Sequence, residues 1–344
     1  MTDRIRGFDG IRALAILAVF LGHRTPLHAT QIGHAGLLAF FALSGFLIVG
    51  ILHKARLAIE TGDGTFADAF GRFFKRRTLR IFPIYYLTLA TLAALAWIGH
   101  PVVGWRSDAL PWHLMYLSNV YEGHVLQAWQ GSLTHLWSLA VEEQFYLLAA
   151  PLLLLLPSRL HLAVCSGAVA FGIASHAWLL VAEANSVVIF TDSLTNFGVI
   201  ALGGALRLAA ERKIFHRAGQ AGWPLVPALA ILGLFPADAL TGTWLFIMPF
   251  FVAALVLAIS QAQSSRLVRL LDLPPLAYLG RISYGFYLFH NLFWIPAPLG
   301  GPLGVLISAA ANFAATLILA ALSWELIERP LLQGGGRRTA LAVT

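Results

Sequence analysis

Arg12-Ala13-Leu14-Ala15-Ile16-Leu17-Ala18-Val19-Phe20-Leu21-Gly22-His23-Arg24 decides how the chain is read. The stretch from Ala13 to Gly22 is uncharged and opens the first of many apolar segments. Ionisable groups within a membrane span are expensive, so Arg12 and His23 are functional candidates from the outset. At about 100° and 1.5 Å per residue they share one helix face, about 16 Å apart. A guanidinium at one end and an imidazole at the other suit a site that holds an anion and moves a proton.

The 344 residues are 58% hydrophobic and 11% charged, with a mean hydropathy of +0.76. A soluble fold cannot bury that much apolar surface, so composition predicts an all-α polytopic membrane protein. About ten spans are expected, near residues 10–28, 34–54, 80–99, 138–157, 160–182, 190–210, 222–236, 242–261, 278–297 and 303–326. With ten spans both termini share a side. Lys and Arg fall almost wholly on that side, from Arg4 and Arg6 through the 54–80 loop to Arg337 and Arg338; Arg24 and Arg106 fall on the other. The positive-inside rule then puts both termini in the cytoplasm, in the cell's inner (plasma) membrane. The net charge of +7 is topology, not a nucleic-acid footprint. The first apolar segment lacks a small-residue cleavage site and is expected to remain in the mature chain. The lone Cys165 excludes disulfides and thiolate metal sites and reads as an inert buried thiol. No metal is expected.

One transmembrane domain, residues 1–331, is expected, followed by a flexible cytoplasmic tail at 332–344. The outer segment, 100–137, is rich in Trp, His and Tyr. Those aromatics read either as an interfacial belt or as a platform for stacking sugars.

Three constellations could carry chemistry. His23 reads as an interfacial histidine or as a general base, since imidazole takes a proton near neutral pH. Trp137-Ser138-Leu139-Ala140-Val141-Glu142-Glu143-Gln144-Phe145-Tyr146 opens the fourth span. Its glutamates lie at the level of His23, where one carboxylate could orient the imidazole and the other cap the helix. Adjacent residues point about 100° apart, so at most one faces His23 squarely. In the basic segment, 68–80, Arg72, Arg76 and Arg80 stack at i, i+4, i+8, with Lys75 beside them, and Phe73, Phe74, Arg77 and Ile81 form the rest. This reads as an anchor to anionic lipid or as a clamp on a phosphorylated cofactor. Small Ser44 and Gly45 suit close helix packing, unless a cofactor sits there. Asp192, Asn196 and His290-Asn291 are further intramembrane polar groups, Asp192 being a second acid or a cap. Glu325 and Glu328 could pair with Arg281.

Together these segments resemble acyltransferase family 3 of membrane O-acyltransferases. The matching pieces are Phe8-Asp9-Gly10-Ile11-Arg12-Ala13 with His23, Phe40-Phe41-Ala42-Leu43-Ser44-Gly45-Phe46-Leu47, Arg76-Arg77-Thr78-Leu79-Arg80-Ile81-Phe82-Pro83, Trp137 to Tyr146, Leu279 to His290, and Ile327-Glu328-Arg329-Pro330-Leu331. The resemblance implies transfer of an acyl group, usually acetyl, from cytoplasmic acyl-coenzyme A to an acceptor hydroxyl, commonly on a glycan bound for the cell surface. It implies that Arg12, His23 and Glu142 or Glu143 belong to the catalytic site. On that reading Arg72, Lys75, Arg76, Arg77 and Arg80, with Ser44 and Gly45, hold acetyl-coenzyme A, and Asp192, Trp137 and Tyr146 meet the acceptor. No extracytoplasmic hydrolase-like domain is expected here, so any step needing one would use a separate partner enzyme. The rival reading is a transporter or flippase for a lipid-linked or small anionic substrate. Against it stand the lack of an inverted repeat and of Gly/Pro-broken helix pairs.

Overall fold

The computed structural model describes residues 5–99, 104–212, 241–292, 294–296 and 300–333, with a few positions between 225 and 234. The architecture is all-helical, and six helices among the described residues are long and apolar enough to cross a membrane. The principal elements are α1 (Phe8–Arg24), α2 (Ile32–Glu60), α3 (Phe66–Trp97), α4 (Leu136–Leu155), α5 (His161–Val181), α6 (Ser193–Glu211), α7 (Thr241–Gln261), α8 (Pro274–Arg281), α9 (Ser283–Phe289) and α10 (Gly301–Ser323). Two expected spans are built differently. The first is a helix of 17 residues, and the ninth is broken at Ile282 into α8 and α9. The expected seventh span lies largely outside the described residues, as does the tail beyond residue 333.

Large apolar side chains fill the bundle interior, among them Phe41, Phe46, Tyr85 and Phe286. Leu147, Leu148, Leu152 and Leu155 of α4 are exposed along one face. Such a stripe suits contact with lipid chains.

Glycines set the close approaches. A Cβ on Gly45 of α2 would collide with the Ile200 carbonyl of α6, and one on Gly203 with the Ala42 carbonyl. A Cβ on Gly280 of α8 would strike the Asp9 carbonyl at the start of α1. Backbone-to-backbone contact of this kind is how apolar helices associate without a hydrophobic drive between them. It also places Gly45, expected at either a packing or a cofactor position, against the backbone of α6.

The basic segment and third span form one continuous helix, α3, which passes through Pro83. Membrane-type helices tolerate proline because neighbours satisfy the freed backbone groups. Residues 104–135 form short turns and helices that reach into the bundle. The Tyr85 hydroxyl donates to the His113 carbonyl at 3.0 Å, and Tyr86 to the Leu114 carbonyl at 2.9 Å. Gln144 Nε2 donates to the Tyr116 carbonyl and to Asn119 Oδ1, at 2.8 and 2.7 Å.

Candidate active site

Helices α1, α2, α3, α4 and α9 enclose a cleft with an empty volume of about 830 Å³, its open mouth included. Arg12, Ser44, Arg77, Arg80, Glu142, Glu143 and Tyr146 supply its polar lining, with Ser138, Tyr284 and Tyr287 along one side. The helical repeat explains who faces inward. Arg77 and Arg80 stand three apart on α3, and Glu142 and Tyr146 four apart on α4, so each pair shares a face. Asp9 orients Arg12, accepting from its guanidinium at 3.2 Å. The Arg77 guanidinium lies 5.3 Å above the Tyr146 ring, a cation–π placement. Tyr146 and Ser44 join their hydroxyls at 2.5 Å. The Glu142 carboxyl hydrogen-bonds both of these residues and feels Arg77 and Arg80. Arg12 is already paired with Asp9, while Arg77 and Arg80 present guanidinium forks of the kind that suit phosphate.

His23 stands apart from this lining. Its Nδ1 lies 3.1 Å from His290 Nε2, and His290 Nδ1 lies 2.6 Å from the Tyr287 carbonyl oxygen. A carbonyl only accepts, so His290 carries its proton on Nδ1 when neutral. Its Nε2 then accepts, and His23 donates from Nδ1. The remaining His23 nitrogen, Nε2, is left with a lone pair. The chain therefore fixes the basic tautomer as the orienting carboxylate of a hydrolytic triad does, with a neutral acceptor in that place. Arg24 Nε clamps the His290 carbonyl at 2.8 Å, its guanidinium stacked 5.3 Å over Trp294. His135 completes the cluster, its ring 4.9 Å from that of His290 and its Nε2 3.1 Å from the Leu288 carbonyl. Among the described residues no three His, Cys, Asp or Glu side chains are arranged to hold a metal.

Tyr287 forms the wall between cleft and imidazoles. Its hydroxyl donates to the His135 carbonyl at 3.0 Å and lies 2.5 Å from Ser138 Oγ.

Several expected residues meet, and others do not. Arg12, Ser44, Arg77, Arg80, Glu142, Glu143 and Tyr146 converge on the cleft. His23 meets His290 rather than a glutamate, because the carboxyls turn toward the arginines. Arg72, Lys75 and Arg76 occupy exposed faces of α3. Asp192 caps α6, accepting from Thr195 N at 2.7 Å, and also accepts from Ser175 Oγ at 3.0 Å. Trp137 is buried against Phe41, ring centroids 6.3 Å apart, which takes it out of acceptor stacking. Glu325 pairs with Arg329 at 2.6 Å and Glu328 accepts from Ser323 at 2.8 Å, so neither bonds Arg281 as expected. His135 went unnoticed because it reads as one more outer aromatic. The signal lay in its position, three residues before Ser138 and so on the same face of the opening turn.

Beside the cluster, Glu122 is fully buried in a π-helical turn, Tyr121–Leu126, and accepts from Thr134 Oγ1 at 3.1 Å. Burial pushes its carboxyl up to about 9, since desolvation disfavours the charged form.

Residues 5–324 match a family model described as an acyltransferase domain. The chain is 31% identical to the candidate peptidoglycan O-acetyltransferase YrhL of Bacillus subtilis, over 97% of this chain and 56% of the relative. It is 26% identical to the peptidoglycan O-acetyltransferase OatA of Listeria monocytogenes, over 96% and 56%. With the O-acetyltransferase OatA of Staphylococcus aureus it shares 25% identity, over 96% and 57%. The chain thus spans little more than half the length of these relatives. No solved structure matches it.

Proposed function

The chain belongs to the acyltransferase-domain family, and from that premise we propose that it is a membrane O-acyltransferase, in the first instance an O-acetyltransferase. The donor is a cytoplasmic acyl-coenzyme A, and the acceptor is a hydroxyl of a cell-envelope glycan. Family membership answers the transport alternative. The relatives named for peptidoglycan favour a glycan acceptor.

The donor's phosphates bind Arg12, Arg77 and Arg80, and its nucleotide end extends toward Arg72, Lys75 and Arg76 at the start of α3. The observation that carries the reading is the Tyr287–His290–His23 chain, which leaves His23 Nε2 as a base on the far side of Tyr287, a residue that lines the arginine-bearing cleft. His23 takes the acceptor's hydroxyl proton as that oxygen bonds to the acyl carbon. The carbon–sulfur bond breaks, and the proton passes from His23 to the departing thiolate. Glu142 holds Arg77 and Arg80 in place rather than steering His23. The termini lie in the cytoplasm, and the acceptor arrives from the opposite side.

His23→Ala should abolish acylation of envelope glycan, read by mass spectrometry, while the protein still inserts and keeps its helicity. Wild-type acylation by that variant refutes the assignment.

A further inference from the structure

Outside the cleft, the connection between α9 and α10 carries an indole that the fold holds in place and leaves open. Trp294 is 56% exposed. The Arg24 guanidinium stacks 5.3 Å from its ring centroid, a cation–π placement that fixes the orientation of the ring. One face is therefore taken, and the exposure belongs to the rest of the indole. Arg24 is itself anchored: it is buried, and its Nε donates to the His290 carbonyl at 2.8 Å.

The backbone beside Trp294 is pinned by α10. Ile295 N donates to Asn312 Oδ1 at 3.0 Å, and the Ile295 carbonyl accepts from Asn312 Nδ2 at 2.9 Å and from Ser308 Oγ at 2.6 Å. One carboxamide thus meets both polar groups of a single residue, which its donor and acceptor allow. Asn312 and Ser308 are buried within an apolar helix. Polar side chains in that setting are costly and mark function by default. Here both serve the residue after Trp294. A plain interfacial anchor needs no such support. Trp97 and Trp178, more exposed still on α3 and α5, are of that ordinary belt kind.

Trp294 also stands close to the proposed base. Arg24 follows His23 on α1, and the carbonyl it holds belongs to His290, whose Nε2 lies 3.1 Å from His23 Nδ1. His290 is fully buried, whereas His23 is exposed. The imidazole thus turns one nitrogen into the bundle and stays accessible at the end of α1, the end that carries Trp294. We propose that Trp294 is a binding platform for a pyranose ring of the acceptor, which packs a C–H face on the open indole and so presents a hydroxyl to His23. Indole offers a large, rigid apolar surface, the complement of a sugar's C–H face. The site rests on the reading of His23 as the base of an O-acyltransferase with a glycan acceptor.

The test uses the full chain in nanodiscs, with Trp294→Ala, Trp294→Phe and, as a belt control, Trp178→Ala. Calorimetric titration with N-acetylglucosamine oligosaccharides, without donor, reads the platform alone. Transfer from acetyl-coenzyme A to the same oligosaccharides gives a KM for each substrate. Trp294→Ala should weaken oligosaccharide affinity and raise the oligosaccharide KM about tenfold, with the donor KM unchanged. Trp294→Phe should keep part of the affinity, and Trp178→Ala all of it. Equal loss in Trp294→Ala and Trp178→Ala marks a membrane anchor, and wild-type affinity in Trp294→Ala marks an idle ring; either overturns the proposal. So does a wild type that binds no oligosaccharide, and so does a parallel rise in both KM values with a lower Tm, the mark of a structural ring. If the wild type binds sugar through Trp294 but transfers no acetyl group, the acyl-transfer reading fails and the sugar platform stands.

Discussion

His290 sits between a carbonyl that fixes its proton and the imidazole it orients, and its two nitrogens can be removed separately. Gln places an acceptor near the position of Nε2, and Asn places a donor near that of Nδ1. His290→Asn therefore keeps the bond to the Tyr287 carbonyl, 2.6 Å in the wild type, and loses the 3.1 Å contact with His23. His290→Gln does the reverse. Leaving the buried His23 donor without its acceptor costs about 1–3 kcal/mol, which is roughly 5- to 150-fold in rate. The loss stays below that of the charged carboxylate of a hydrolytic triad, because a neutral acceptor is the weaker orienting partner. Acylation of an envelope glycan measured in nanodiscs, alongside thermal unfolding, separates the two effects. Each variant loses one buried hydrogen bond, so both should lower stability by about 1–3 kcal/mol, but His290→Asn should lose activity and His290→Gln should retain most of it. Wild-type turnover by His290→Asn, or a His290→Gln protein as inactive as His23→Ala, would refute the tautomer argument.

Charge reversal at Arg80 should abolish the thermal shift given by acetyl-coenzyme A, whereas Arg80→Lys should weaken it, since the planar fork is lost and the charge kept. Reversal at the exposed Arg76 should weaken binding in a salt-dependent way, the mark of a screened surface charge. Gly45→Ala drives a Cβ into the Ile200 carbonyl and should destabilise the bundle by about 1–3 kcal/mol, visible as a lower Tm in detergent. Glu122 carries a raised carboxyl pKa of about 9, so the folded state holds a proton that the unfolded chain releases near 4.5. Its contribution is complete below pH 4.5 and is lost as pH rises toward 9. Glu122→Gln should flatten that slope in an unfolding series across the window.

The all-helical class was legible from composition, and the cleft's charged members from motifs. Arg12 and Glu142 could be named because each sits in an apolar setting that makes charge costly, and Arg77 and Arg80 because they belong to a dense run of cations. Their partners could not. Helical phase puts Glu142 and Glu143 about 100° apart, but which neighbour each meets depends on how α1, α3 and α4 rotate against one another. Depth along a helix made a His23–carboxylate pair plausible; rotation of α4 turned the carboxyls to the arginines. The break at Ile282 was hidden because Leu279 to His290 is apolar enough to pass for one span. The Tyr287 carbonyl reaches His290 by local geometry, the two lying three residues apart at the end of α9. The stack of Arg72, Arg76 and Arg80 divides in the structure: Arg80 lines the cleft with Arg77, and Arg72 and Arg76 lie on exposed faces of α3.

Tyr287 links the two halves of the chemistry. Its ring lines the cleft and lies 5.5 Å from the rings of His135 and His290, so on the proposed reading an acyl carbon bound beside Arg77 passes that phenol to meet His23 Nε2. Two hydrogen bonds hold it, one to the His135 carbonyl and one with Ser138 Oγ. At about 1 kcal/mol each, the open rotamer lies about 2 kcal/mol up, a population of roughly one in thirty. Side-chain motion of that kind is fast against typical turnover, so the wall can gate access without limiting rate. The tautomer chain runs through the Tyr287 backbone carbonyl, not the phenol. The ring can therefore swing aside while His290 stays fixed and His23 keeps its base. Opening the passage and holding the proton are separable because one residue does the first with its side chain and the second with its main chain.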